Sequence, residues 1–186
     1  MVSTPSESNP SEEDGGRLTL RIGPHTYHVG LESGLALAHA LWRAEKCDLA
    51  ARICDAMLHH DVSADQVAIL LACCKAGLQE YTDCNRILQA VFPNGKGDLA
   101  DHLQAALVSQ SLGMSVDAVS ELAAVAEGVP DWPIIWLLLG DEYGAVGDCH
   151  NAAACWRRAI DRDVHNGPVA LAAQRELTHL EGKPAS

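Results

Sequence analysis

A chain of 186 residues has room for one domain and a sizeable core. Apolar residues make up 48% and charged residues 20%, with one Phe and three Tyr, a balance that suits close-packed helices better than sheets. The formal net charge of −12 argues against nucleic acid, which needs Lys and Arg to neutralise phosphates, and against an anionic membrane surface. An apolar or basic protein segment is the partner such a surface accommodates.

Residues 1–16 are Ser, Pro, Glu and Gly with almost nothing to bury, so they read as a disordered acidic tail; they hold no apolar stretch of the kind a secretory signal needs. Residues 17–30 change period. Leu18, Leu20 and Ile22 alternate with Thr19 and Arg21, Gly23-Pro24-His25 supplies a turn, and Tyr27 and Val29 alternate again, which predicts a short β-hairpin. The longest apolar run, Trp132 to Leu139, is far short of the roughly 20 residues of a membrane helix.

From Leu31 onward the pattern is helical. A first hairpin is expected to pair 32–44 with 48–59, bending at Glu45-Lys46-Cys47. A second pairs 64–76 with 81–92 and opens on a capping box, Ser63 with Gln66. A third pairs 98–111 with 115–127 and turns at Gly113. The fourth pairs 133–145 with 149–162, turns at Gly147 and carries Pro133 in its first turn. A last helix, 168–181, follows Asn166-Gly167-Pro168. Its Leu171, Leu177 and Leu180 would cover the last repeat while Gln174, Arg175, Glu176 and Glu181 face water.

The hairpins are copies of one another at a spacing of 34 residues. That shift stacks Leu37-Ala38 on Leu71-Ala72, Ala105-Ala106 and Leu139-Gly140; it also aligns Ala50, Cys84, Ala118 and Ala152, and Cys54, Leu88, Leu122 and Trp156. The fourth unit, with Trp136, Leu139-Gly140, Tyr143, Gly147, Ala152, Trp156 and Ala159, resembles a tetratricopeptide repeat, and Pro130 falls where that family ends a helix. The resemblance covers residues 31–181. It implies an all-α solenoid of four helix-turn-helix repeats (31–64, 65–98, 99–132 and 133–166), a capping helix at 168–181 and a tail at 182–186. In the column of Tyr143 the second unit departs from the pattern, placing Lys75 where its stem must snorkel outward.

Proteins of that family bind peptides or helices on the concave face formed by the first helix of each pair. The resemblance then implies a partner groove lined by Leu35, Ile69, Leu103 and Leu137, one turn further by His39, Cys73, Leu107 and Asp141, and beyond these by Trp42 and Gln110 with Arg43 at the rim. No Lys or Asn occupies the columns that clamp a peptide carboxylate in the family's cochaperones. The stripe instead suits an amphipathic helix or extended apolar segment, with Trp42 and Arg43 as an anchor. A second reading is open for the same residues: the aliphatic column packs against the neighbouring helix, and Trp42 clasps the N-terminal hairpin, which then plugs the first unit.

No P-loop, dinucleotide fingerprint, nucleophile elbow or zinc-type Cys/His spacing occurs, so no enzyme, cofactor or metal is expected. His59-His60-Asp61 reads as a helix end, and His25 and His28 fall on opposite faces of the hairpin. The seven Cys, an odd count without a C-x-x-C pair, read as reduced packing residues and thus imply a cytoplasmic protein. Cys73-Cys74 point about 100° apart on one helix, and Asp141-Glu142 is a pair in sequence only. The expected function is a non-catalytic scaffold or chaperone-like module. Rival readings are a chaperone similar to the tetratricopeptide chaperones of type III secretion, an enzyme using Cys73 or His39, and a structural protein that self-assembles through the hairpin.

Overall fold

The computed structural model describes residues 17–22, 25–59, 64–92, 97–163 and 167–182. The acidic tail, the Gly23-Pro24 turn, His60, Asp61, the Ser63 end of the expected capping box, Asn166 and residues 183–186 lie outside them. Strands β1 (Arg17–Ile22) and β2 (His25–Gly30) pair antiparallel, with Leu18 opposite Val29. The hairpin rests on the first two helices, and Leu18 is its buried contact there.

Nine helices follow among the described residues, eight of them in four antiparallel pairs. These are α1 (Leu31–Arg43) with α2 (Cys47–Leu58), α3 (Ala64–Gly77) with α4 (Tyr81–Val91), α5 (Gly97–Ser111) with α6 (Ser115–Gly128), and α7 (Pro133–Ala145) with α8 (Cys149–Arg162). Helix α9 (Pro168–Glu181) packs on α8. Pro133 and Pro168 start α7 and α9, where the missing N–H costs nothing.

One turn geometry joins every pair. The amides of Lys46, Glu80, Met114 and Asp148 each reach back to the carbonyl five residues earlier, at Leu41, Lys75, Ser109 and Tyr143. Just before each, the chain passes through the left-handed region, at Glu45 (φ 59°), Gln79 (φ 63°), Gly113 (φ 73°) and Gly147 (φ 85°). A left-handed residue followed by such a bond is how a helix end satisfies its last carbonyls. Glycine takes this conformation freely and the later two turns use it; the first two force Glu and Gln into it.

Small residues set how closely the helices of a pair approach. The column Ala50, Cys84, Ala118 and Ala152 is fully buried, as are Ala38, Ala72 and Ala106 on the facing helices. The fourth member of that facing column is Gly140, where an added Cβ would lie 2.6 Å from Cδ1 and Nε1 of the Trp156 indole.

The array does not stay open. Helix α9 packs against α1 as well as α7 and α8, and α3 touches α7 across the middle. The first helices of the pairs, together with α9, thus surround a common axis, with α2, α4, α6 and α8 outside. Helix α7, whose sequence is apolar all round, is buried on nearly every side, as an interior helix must be.

Gly140→Ala is expected to push the rigid indole of Trp156 out of place and cost about 1–3 kcal/mol. Gly144→Ala, whose Cβ would meet the same ring at an ordinary 3.5 Å, is expected to be neutral or stabilising by up to about 1 kcal/mol through helix propensity. Urea denaturation of the two variants checks the contrast.

Candidate functional site

The columns expected to line an open groove lie in the interior. Leu35, Ile69, Leu103 and Leu137 are wholly buried, as are His39 and Asp141; Cys73 and Leu107 are 1% exposed and Trp42 8%. Of the expected groove, Arg43 is exposed and Gln110 half-buried. The correction has a simple cause. A stripe of Leu and Ile facing inward is driven out of water at about 25 cal/mol per Å², and closure of α9 on α1 lets the inner helices bury it against one another. Among the described residues, Leu35, Ile69, Leu103 and Leu137 are thus taken up in packing rather than presented to a partner helix.

A buried polar link crosses this interior. His39 on α1 and Asp141 on α7 meet at 2.7 Å between Nε2 and Oδ2, and the Trp156 indole N–H donates to the other carboxylate oxygen at 3.2 Å. His39 Nδ1 has no hydrogen-bond partner among the described residues. The Trp42 ring tilts against the imidazole, centroids 5.6 Å apart.

Beyond this layer, toward the C-terminal ends of the inner helices, the axis opens into a cavity of about 620 Å³. Its wall includes one 34-residue column in full: Arg43, Gly77, Ser111 and Ala145, the residue just before each turn. Trp42, Cys73 and Leu107 contribute apolar surface, Gln110 and Ser115 polar groups, and Glu45 a carboxylate.

Glu142, in the same wall, is only 2% exposed. The Gln110 side-chain amide donates to its Oε1. Its Oε2 is buried and makes no well-formed hydrogen bond among the described residues, although the Ser115 hydroxyl is close enough to favour the charged form. Burial pushes the Glu142 carboxyl above its usual range; the Ser115 and Gln110 contacts oppose this, Asp141 adds to it and Arg43 offsets it. From sequence, Glu142 enters only as the neighbour of Asp141 in a pair that does not face one site, and it is not placed in the groove. The signal was its column, in which Ala40, Cys74 and Val108 are followed by a carboxylate.

Exposed apolar residues flank the wall residues in the chain. Leu78, Leu112, Met114, Val116 and Val146 are exposed, and each is adjacent in sequence to a residue of the cavity wall. Leu112 and Val116 are the most open, at 62% and 73%.

The other singled-out side chains have plain surroundings. Lys75 snorkels to a 2.6 Å ion pair with Glu80, and that contact raises its pKa. Six Cys are buried and Cys149 is exposed; none is disulfide-bonded. Burial raises the thiol of Cys73 well above its ordinary value and those of Cys84 and Cys155 to about 11. Cys74 is raised chiefly by its hydrogen bond with Cys54. Such thiols are poor nucleophiles at neutral pH. His28 is exposed beside Thr19, and His59 is exposed at the end of α2. No cluster of three or more metal-type side chains occurs among the described residues, and none of their helices is long and apolar enough to cross a membrane.

No protein-family model and no curated protein matches the chain. Among solved structures it is similar to MamA, residues 41 to the end, from Desulfovibrio magneticus RS-1, at 16% identity and a TM-score of 0.37. That alignment covers 84% of this chain and 97% of the other.

Two outcomes follow from the buried groups. His39→Leu and Asp141→Leu should each cost about 3–5 kcal/mol, since each strands a buried polar partner. The double variant should cost clearly less than their sum in a denaturation cycle. For Glu142 the folded pKa lies above the unfolded one, so its burial costs nothing at low pH and the cost grows as pH rises through the folded value. Glu142→Gln should therefore gain more stability relative to wild type at about pH 7 than at about pH 4, where unfolded Glu itself titrates.

Proposed function

We propose that this chain is a non-catalytic protein-binding module, a tetratricopeptide-like array of four repeats and a capping helix that holds its partner end-on at the cavity mouth. The observation that carries the reading is where the exposed apolar surface lies. Seven large apolar side chains are exposed among the described residues, and five of them, Leu78, Leu112, Met114, Val116 and Val146, stand next in the chain to residues of the cavity wall. Exposed apolar side chains flanking a partly polar cavity suit a docking surface.

The repeat reading is supported by the recurring turn, by the fully buried small-residue columns and by the close packing of Gly140 on Trp156. Of the residues expected to touch a partner, Trp42, Arg43 and Gln110, with the walls formed by Cys73 and Leu107, stay with the proposed site. Leu35, Ile69, Leu103, Leu137, His39 and Asp141 become its scaffold. The raised thiols of Cys73 and Cys84, poor nucleophiles at neutral pH, support a non-catalytic role.

The test compares partner capture by wild type with Leu112→Glu/Val116→Glu. Both positions are exposed, so the melting temperature should be nearly unchanged. Capture should be lost in that variant and kept in Leu171→Glu, which alters an exposed leucine on α9 away from the mouth. Equal capture by all three proteins would refute end-on docking. Leu107→Glu, in contrast, should unfold the protein, because it buries a charge.

A further inference from the structure

The docking reading leaves open what chemistry the cavity itself recognises, and the inference here rests on that reading. Three facts converge on the cavity wall. Glu142 is almost wholly buried, yet one of its carboxylate oxygens makes no well-formed hydrogen bond among the described residues, with only the Ser115 hydroxyl close by. The Trp42 ring lines the same cavity. Two hydroxyls, of Ser111 and Ser115, stand nearby in the wall. A buried carboxylate oxygen left unmatched is costly and calls for a donor.

We propose that the cavity is a socket for a primary ammonium group, supplied by a lysine side chain at the tip of the docked partner. The ammonium pairs with Glu142 Oε2, its alkyl stem lies along Trp42, and its remaining N–H bonds go to the serine hydroxyls. A modest turn about the last side-chain torsion of Glu142, which is soft, brings Oε2 to the cavity while the Gln110 side chain follows Oε1 and keeps its bond. An aromatic face beside the cation adds to the attraction.

The donor count selects ammonium over guanidinium. Arginine is bound best by a carboxylate offering both oxygens to its planar fork, and Oε1 of Glu142 is already taken by Gln110. One open oxygen with scattered hydroxyls matches three rotatable N–H donors instead. The charged groups facing the cavity are Glu142, Glu45 and Arg43, with the high-pKa thiols of Cys47 and Cys73 neutral. With both carboxylates ionised these sum to one negative charge, enough for one cation, and the chain's charge of −12 attracts it from a distance. Arg43 is the opposing charge and limits the affinity.

The experiment titrates full-length protein with n-butylammonium and follows Trp fluorescence and calorimetric heat, with n-butanol as the neutral isostere. Saturable binding of butylammonium, at least tenfold weaker in Glu142→Gln and absent for butanol, is the expected result. Arg43→Gln should bind tighter than wild type, a change that a purely structural role would not produce. Near-UV circular dichroism confirms that both variants stay folded. No saturable binding, or equal binding by Glu142→Gln, overturns the socket.

The source of the ammonium is read with the peptide acetyl-Gly-Gly-Lys-Gly-Gly-amide and its Nε-acetylated form. Binding by the first and not the second supports a protein lysine. Butylammonium binding without peptide binding overturns the lysine source and assigns the socket to a small free amine. The two readings also fail separately. Loss of capture in Leu112→Glu/Val116→Glu with no amine binding leaves docking standing without the socket, whereas amine binding with unaffected capture does the reverse.

Discussion

The arrangement depends on one contact between the ends of the array: His39 of the first hairpin bonded to Asp141 of the fourth, beneath the packing of α9 on α1. A stack of helical hairpins has no inherent reason to close. Here the inward faces of the first helices are mostly apolar, and one buried carboxylate, Asp141, bonds to groups of both α1 and α8. In the dry interior that carboxylate cannot be left unmatched, so it ties α1, α7 and α8 into one geometry. Closure then decides everything at the open end. It converts a long concave surface into a largely filled axis that opens into the cavity of about 620 Å³, and it brings the residue just before each interhelical turn into that cavity's wall.

Much of the fold was legible because the repeat is a property of the chain alone. Each helix begins and ends within one residue of its expected bounds, since turn chemistry and apolar period act locally. The small-residue columns were legible for the same reason: Ala152 over Ala118 says that helices meet there wherever the neighbours go. The groove was not legible. Whether Leu103 and Leu137 face a partner or each other depends on the curvature of the stack, a sum of small angles that no single position encodes. Closure is carried by His39 and Asp141, 102 residues apart. They occupy one column of the repeat, yet nothing in their spacing says that copies one and four meet.

Glu142 was missed because local helix geometry was applied correctly but too narrowly. Adjacent helical residues do not face each other, and indeed Asp141 and Glu142 find different partners, His39 and Gln110. The column gave the better signal. A carboxylate where the other copies hold Ala40, Cys74 and Val108 breaks the consistency of the pattern, and such departures tend to mark function rather than folding.

The meeting of α1 with α9 also bears on how this molecule comes apart. In an open solenoid each unit touches only its neighbours, so terminal units fray first and extra copies can be spliced in at little cost. Joining first to last removes both freedoms. Inserting a fifth hairpin would part the seam, and no terminal unit can peel away without exposing the shared centre. The helical portion should thus melt as one cooperative body.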